Sequence, residues 1–426
     1  MKLGIPTALE RHRLANGLQV VLHPDSTLPL VTVNLWYHVG SKNERPGRTG
    51  FAHLFEHMLF SGSEHVGNTQ HFFYLQQVGG VANGSTWYDR TNYYETVPSS
   101  QLDLALWLES DRMGYFLPAL TAEKLETQRS VVMNERRQRV DNQPYGRPYE
   151  RLFELLLPAD HPYHWPVIGW MDDIAAATLE EVREFFRAWY GPNNAVVTVA
   201  GDFVTADALA RVERWFGEIP AGPEPRPRKA PLAPLDRGLV DSVRDRVQLP
   251  RVYLAFRMPA FGERGWFAGS LATSVLSDGR SSPLFHDLVY RRQLAQDVSC
   301  YVYPTEEVGV LIAAATAKPG VAAVDLATAL WEHLERLAES GPSEVDFERG
   351  RNSVLSASYS HLQSLDQRAD LISQCTTFFD SPERAFEIPD EYRSIAREEI
   401  RDFAARHLGR DRGVELTVLP EPEAAA

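Results

Sequence analysis

Cysteine is scarce in this sequence: its 426 residues include only two, Cys300 and Cys375. Two thiols cannot build a disulfide framework or a zinc site made of several thiolates, so both kinds of cross-link are excluded. We expect the two to be small buried apolar side chains. The fold must then depend on an ordinary hydrophobic core, and a hydrophobic content of 44% is sufficient for one.

Long apolar runs and excess positive charge are also lacking. No run reaches the roughly 18 apolar residues of a membrane-spanning helix, and the first residues, "MKLGIPTALERHRLANG", lack the apolar centre of a signal peptide. The formal net charge is -14, with no basic stripe suited to phosphates. We therefore expect a soluble, cytoplasmic protein with neither a nucleic-acid nor a membrane partner.

A proline-rich segment divides the chain. Residues 220–234 contain six prolines and little that could pack, which predicts an extended linker. A helix–glycine–strand pattern at 179–199, "LEEVREFFRAWYGPNNAVVTV", recurs at 397–418 as "REEIRDFAARHLGRDRGVELTV". We predict an α+β protein of two homologous units, each a mostly antiparallel sheet packed with helices: domain 1–219, linker 220–236 and domain 237–426.

The stretch "FAHLFEHMLF" places two histidines and a glutamate in an otherwise apolar segment. Its apolar residues recur at helical spacing, so His53 and His57, four residues apart, lie on one face. Two imidazoles in this arrangement can bind one Zn²⁺ at about 2.0–2.1 Å, with Glu56 close enough to take a proton from a water on the metal. The alternative is that the histidines are structural, either hydrogen-bonded in the core or exposed.

A third zinc ligand is predicted on the helix "TAEKLETQRSVVMNERRQRV". Its inward stripe is Leu125, Gln128, Val132 and Glu135, which places a carboxylate on the face that should be buried. Buried carboxylates are nearly always paired or bound to metal. A salt bridge between Glu135 and the arginines of "RRQR" is the alternative.

The segment "GGVANGSTWYDRTNYYETVP" predicts a turn followed by one Thr/Tyr-rich strand with the composition of a sheet edge. An exposed edge can bind an extended peptide through main-chain hydrogen bonds. The composition is equally consistent with a central structural strand.

Taken together, "HLFEH" and the later "NER" resemble the pitrilysin family of inverted zinc metallopeptidases, which includes insulin-degrading enzyme and mitochondrial processing peptidase. The resemblance covers essentially the whole chain and is closest to bacterial members of about this size. It implies that His53, His57 and Glu135 bind one zinc ion and that Glu56 is the general base. Many members have a glutamate where this chain has Gln128; the resemblance implies an outer-shell role there, without the negative charge.

The resemblance also implies a function. It indicates a zinc-dependent endopeptidase acting on peptides or small unfolded polypeptides, with a zinc-bound water as nucleophile. The edge strand near the metal, Asn83, Gly84, Ser85 and Thr86, would hold the substrate. A non-catalytic peptide-binding or scaffold subunit, or a hydrolase of a non-peptide amide, remains the alternative.

The resemblance further implies a second chain. Members made of two chains often hold the substrate carbonyl with an arginine–tyrosine pair from a second unit. This sequence has Tyr301 and Tyr303 but no arginine between Gln293 and Leu330. We therefore expect a homologous partner subunit in a heterodimer, or else a homodimer.

Overall fold

The computed structural model describes residues 5–226, 230 and 232–422. Within these residues the strands are β1 Glu10–Arg13, β2 Gln19–Pro24, β3 Leu30–Tyr37, β4 Val81–Thr86, β5 Thr91–Pro98, β6 Ala195–Gly201, β7 Leu239–Asp245, β8 Arg251–Met258, β9 Ala295–Tyr303, β10 Gly309–Ala317 and β11 Gly413–Pro420. The helices are α1 Phe51–Leu59, α2 Gln70–Gln77, α3 Leu102–Ala119, α4 Ala122–Arg136, α5 Pro148–Leu156, α6 Met171–Ala176, α7 Leu179–Trp189, α8 Thr205–Phe216, α9 Arg264–Ser277, α10 Ala323–Ser340, α11 Glu344–Gln363, α12 Leu365–Phe379, α13 Arg384–Ser394 and α14 Arg397–His407. None of the helices in these ranges has both the length and the apolar composition needed to cross a membrane.

The strands form two sheets of the same design. The first has the order β1-β2-β6-β3-β5-β4 and the second β7-β11-β8-β10-β9. In each, one parallel pair (β2 with β6, β7 with β11) is followed by antiparallel neighbours only. The predicted α+β repeat is confirmed, because the repeated helix–strand segments are α7–β6 and α14–β11, at equivalent places.

Packing groups the chain into two compact units. The first comprises the described parts of 1–136, 165–230 and 360–387, and the second those of 137–164, 231–359 and 388–426. The change near 230 falls inside the predicted linker, of which 227–229 and 231 lie outside the described residues. Residues 137–164 pack with the second unit and residues 360–387 with the first, opposite to what chain order predicts. The later segment contains α12, which lies on β3 and β6 of the first sheet. The domain limits 1–219 and 237–426 stay a prediction.

Helix α1 is held in the first unit by its apolar face and by its N-terminus. Phe55 and Met58 are fully buried in the core, as the helical spacing predicts. The buried carboxylate of Glu44 accepts hydrogen bonds from the backbone N–H of Gly50 (2.9 Å) and of Ala52 (2.8 Å). A carboxylate here satisfies helix donors that have no partner within the helix and complements the helix dipole.

A buried charged cluster lies beside the end of α1. His71, Glu95, Glu109 and Arg112 are each at most 3% exposed. Arg112 Nη1 is 3.2 Å from Glu109 Oε1, Arg112 Nη2 is 2.9 Å from His71 Nε2, and His71 Nε2 is 3.2 Å from Glu95 Oε1. Burial lowers the pKa of His71 and raises that of Glu95. The guanidinium is therefore the main compensation for the two carboxyl groups.

Removing that guanidinium should destabilise the protein strongly. Arg112→Met leaves two buried carboxyl groups without a cation, and we expect a loss of about 3–5 kcal/mol in the free energy of unfolding. Arg187→Met is the matched control, because Arg187 pairs with Glu180 at the surface with exposures of 56% and 62%, and such pairs contribute about 0–1 kcal/mol. Urea denaturation followed by circular dichroism measures both; equal midpoints for the two variants would contradict the expectation.

Candidate metal centre

The structure brings the three predicted ligands together. His53 and His57 lie on α1, and Glu135 lies one residue before the end of α4. Glu135 Oε2 is 3.6 Å from His53 Nε2 and 3.1 Å from His57 Nε2. The three side chains are between 13% and 24% exposed, so they are shielded yet reachable from solvent.

The donor set fits a zinc ion. Four tetrahedral bonds of about 2.0–2.1 Å place neighbouring ligand atoms about 3.3 Å apart. The two measured separations lie on either side of that value, and all three ligand atoms are within 4.8 Å of one another. Two imidazoles and one carboxylate are the ligands of many catalytic zinc sites, in which water occupies the fourth position.

Close backbone packing sets the separation of α1 and α4. Gly169 lies so near Gly50 that a Cβ on it would be 2.4 Å from Gly50 Cα, and both glycines have positive φ. Arg136, the last residue of α4, donates from Nη1 to the Gly169 carbonyl (2.9 Å). The end of α4 is thus attached to the segment that touches the start of α1.

Local sequence explains why α4 presents Glu135 to the site. Thr121 accepts a hydrogen bond at Oγ1 from the Lys124 backbone N–H (3.2 Å), which is an N-cap. Leu125 and Val132 are buried, and Glu135 continues their stripe. The Gln128 side chain is half-buried on the same stripe and makes no hydrogen bond with the described residues.

Glu56 is positioned by the edge strand. Thr86 Oγ1 donates to Glu56 Oε2 at 2.6 Å. Burial raises the pKa of Glu56, and this hydrogen bond opposes the rise. The sequence analysis assigned Thr86 to the substrate and did not indicate this contact. Alternation along β4 turns Thr86 and Gly84 to the α1 side, but it can be applied only once the end of β4 is known.

The segment after Gly80 differs from the single strand predicted. It forms two strands, β4 and β5, because residues 87–90 turn: the Trp87 N–H bonds the Arg90 carbonyl at 2.8 Å. In this turn Asp89 makes a buried ion pair with Lys42 (3.0 Å). The edge is β4, which contains Asn83 to Thr86, whereas the Thr/Tyr-rich β5 is an interior strand.

Comparison with known families identifies related proteins. A family model described as "Insulinase (Peptidase family M16)" matches residues 19–159, and one described as "Peptidase M16 inactive domain" matches 176–354. "Zinc protease PqqE" from Helicobacter pylori is 31% identical over 364 residues, which are 84% of this chain and 81% of that protein. The metal-site helix α1 and Glu135 both lie within the first match.

Solved structures have the same fold. A protease from Helicobacter pylori superposes with a TM-score of 0.90 at 27% identity, over 97% of this chain and all of that chain (100%). The periplasmic protease PqqL from Escherichia coli gives a TM-score of 0.78 at 19% identity. That match covers 98% of this chain but 48% of PqqL, so this chain spans about half of that structure.

Replacing Glu135 should remove the metal. A neutral amide is a poor substitute for a carboxylate on Zn²⁺, so we expect Glu135→Gln to lose most of the roughly one zinc bound per chain. Glu126→Gln, on the exposed side of the same helix, is the control and should keep it. Elemental analysis after dialysis measures both. Full zinc content in Glu135→Gln would require a different third ligand, and Glu126 is a poor candidate because it is 66% exposed and paired with Arg129.

Proposed function

This chain belongs to the insulinase family, peptidase family M16, and we propose that it is a zinc-dependent endopeptidase acting on peptides or small unfolded polypeptides. The observation that carries the proposal is the convergence of His53 Nε2, His57 Nε2 and Glu135 Oε2, with Glu56 on the same helix. His53, His57 and Glu135 would hold one zinc ion. When bound there, zinc supplies Lewis acidity, lowering the pKa of a water and polarising a carbonyl group.

Glu56 is the proposed general base. Its carboxylate accepts a proton from the attacking water and returns it to the amine that leaves the cleaved bond. The Thr86 hydrogen bond fixes Oε2, whereas Oε1 makes no hydrogen bond with the described residues and is available for the proton. Thr86 is thus a positioning residue for Glu56.

Strand β4 is the proposed site of substrate alignment. Among the described residues it is the terminal strand of the first sheet and pairs only with β5. On its other side, the backbone groups of residues 83–86 can bind an extended peptide. Such pairing recognises the main chain of the peptide rather than its sequence. Because Thr86 reaches Glu56, a peptide paired here passes beside the general base.

A non-catalytic subunit is the alternative function. It is favoured by the match of residues 176–354 to a domain described as inactive. That match lies outside the metal-centre residues, however. His53, His57 and Glu135 have a geometry suited to zinc, and Glu56 lies on the same helix as the two histidines. A hydrolase of a non-peptide amide would use the same residues; the products formed from a peptide library distinguish these functions.

We also propose that the active form contains a second homologous chain, or a second copy of this one. Support comes from PqqL, of which this chain matches about half. Within the second unit, Tyr301 and Tyr303 lie on β9 and contact Tyr149 and Phe153, at ring separations of 6.3 and 5.2 Å. Packing of these tyrosines within their own unit favours a substrate clamp supplied by the partner.

Glu56→Gln should separate chemistry from metal binding. The variant is expected to keep its zinc, since Glu56 is not a ligand, while kcat falls at least roughly 10²-fold, the scale of a positioned base. Glu64→Gln, an exposed glutamate after the same helix, is the control and should leave both unchanged. Zinc content and cleavage of a mixed peptide library, with and without a chelator, are the measurements. Undiminished turnover by Glu56→Gln would refute the assignment.

Activity should depend on association. If a partner completes the site, activity per chain falls on dilution into the monomer range and recovers when the homologous partner or more of this chain is added. Ultracentrifugation and peptide turnover, measured on the same samples, test this. Full turnover by a strictly monomeric sample would show that one chain suffices.

A further inference from the structure

Edge strand β4 contains an asparagine–glycine pair, Asn83–Gly84, at its centre. The sequence has one other such pair, Asn16–Gly17, and alanine precedes both. An asparagine before glycine can lose its side-chain amide, because the next main-chain nitrogen attacks Cγ and glycine has no side chain to hinder the attack. The reaction needs a main-chain N–H without a strong partner and a carboxamide that is free to move. The two pairs differ in both respects.

The Gly84 N–H faces away from the neighbouring strand. The hairpin that joins β4 to β5 is closed by the Trp87 N–H, which donates to the Arg90 carbonyl at 2.8 Å. Residues of paired antiparallel strands alternate between hydrogen-bonded and non-hydrogen-bonded positions, so Ser85 is in a bonded position and Gly84 is not. The Gly84 nitrogen therefore points to the edge of the sheet that no other described strand covers.

The Asn83 carboxamide bonds that N–H instead. Its Oδ1 accepts from the Gly84 N–H at 2.9 Å, which folds the side chain back onto the following peptide group. Because Oδ1 and Cγ belong to one carbonyl group, the contact also brings Cγ near the nitrogen that would attack it. The Asn83 side chain is exposed, so water reaches the carboxamide and ammonia can leave.

Asn16, in contrast, is held by three hydrogen bonds. Its Nδ2 donates to two backbone carbonyl groups, at 2.8 and 2.9 Å, and its Oδ1 accepts from the Leu18 N–H at 3.2 Å. The Gly17 N–H is also bonded, to the Leu14 carbonyl at 2.9 Å. Attack within this pair would break these contacts, so Asn16–Gly17 is an internal reference with the same local sequence.

We propose that Asn83–Gly84 is a site of spontaneous deamidation that inactivates the edge strand. The Gly84 nitrogen bonds to Asn83 Cγ and gives up its proton, the Cγ–Nδ2 bond breaks, and the amide leaves as ammonia. Water then opens the succinimide ring at either carbonyl group, which yields aspartate or isoaspartate. Ring closure requires the Asn83 backbone to leave its extended conformation, and β4 permits this because it pairs with a single strand among the described residues.

The isoaspartate product changes the geometry of β4. It adds the former Cβ to the main chain between residues 83 and 84, so residues 81–83 no longer match their positions on β5. It also places a negative charge beside the proposed path of the peptide. This effect on peptide turnover rests on the proposed function, whereas the modification itself does not.

Peptide mapping by mass spectrometry, with isoaspartate identified by an isoaspartyl methyltransferase, tests the site on the full chain. Folded protein is incubated in mildly alkaline buffer, and a second sample is incubated in urea. We expect Asn83 to deamidate at least about tenfold faster than the hydrogen-bonded Asn16 in the folded protein. In urea the two pairs should react at similar rates, because their local sequences match. Equal rates in the folded protein, or no reaction at Asn83, would overturn the inference.

Asn83→Gln connects the modification to activity. Glutamine would have to close a larger ring, so this variant should resist deamidation. The turnover of each incubated sample is compared with its own value before incubation. We expect the wild type to lose turnover in proportion to its modified fraction and Asn83→Gln to keep its own level; equal losses would overturn the effect on the strand. Fresh wild-type protein that cleaves no peptide would refute the proposed function, and the peptide maps would still decide the modification.

Discussion

The close approach of Gly50 and Gly169 is the constraint on which the metal centre depends. A side chain at either position would collide with the opposite backbone, and both residues have φ values that favour glycine. Glu44 fixes the start of α1 at this contact, and Arg136 fixes the end of α4 to the same backbone. Two helices distant in sequence thereby bring the three candidate ligand atoms close together.

Much of this site could be predicted because it rests on local periodicity. A spacing of four puts His53 and His57 on one helix face, and the apolar stripe of α4 carries Glu135 inward, whatever the tertiary details. The contact between Thr86 and Glu56 could not be derived in this way. It depends on where residues 87–90 turn, and that turn is stabilised by Lys42 and Asp89, which are distant in sequence.

Long-range packing is also why the sequence did not locate α12 or the charged cluster. The four residues of the cluster around Arg112 come from two helices and a strand. Within its own segment, each of these residues has the sequence pattern of an ordinary polar position. Helix α12 lies within residues 237–426, which were predicted to form the second domain, yet its Ser373 and Asp370 bond Thr198 and Trp36 of the first sheet. The repeated helix–strand pattern indicates that the two units are homologous, but it does not indicate which unit an intervening segment packs with.

Strand β4 connects the two faces of the first sheet, and its register determines what each face receives. Because side chains alternate, a slip of one residue would exchange Thr86 for Ser85 beside Glu56. Such a slip is opposed by the pairing of β4, from Val81 to Thr86, with β5. It is also opposed by the two hydrogen bonds from Arg90 to Ser85. The same bonds that place Thr86 beside Glu56 therefore place Ser85 on the opposite face of the sheet.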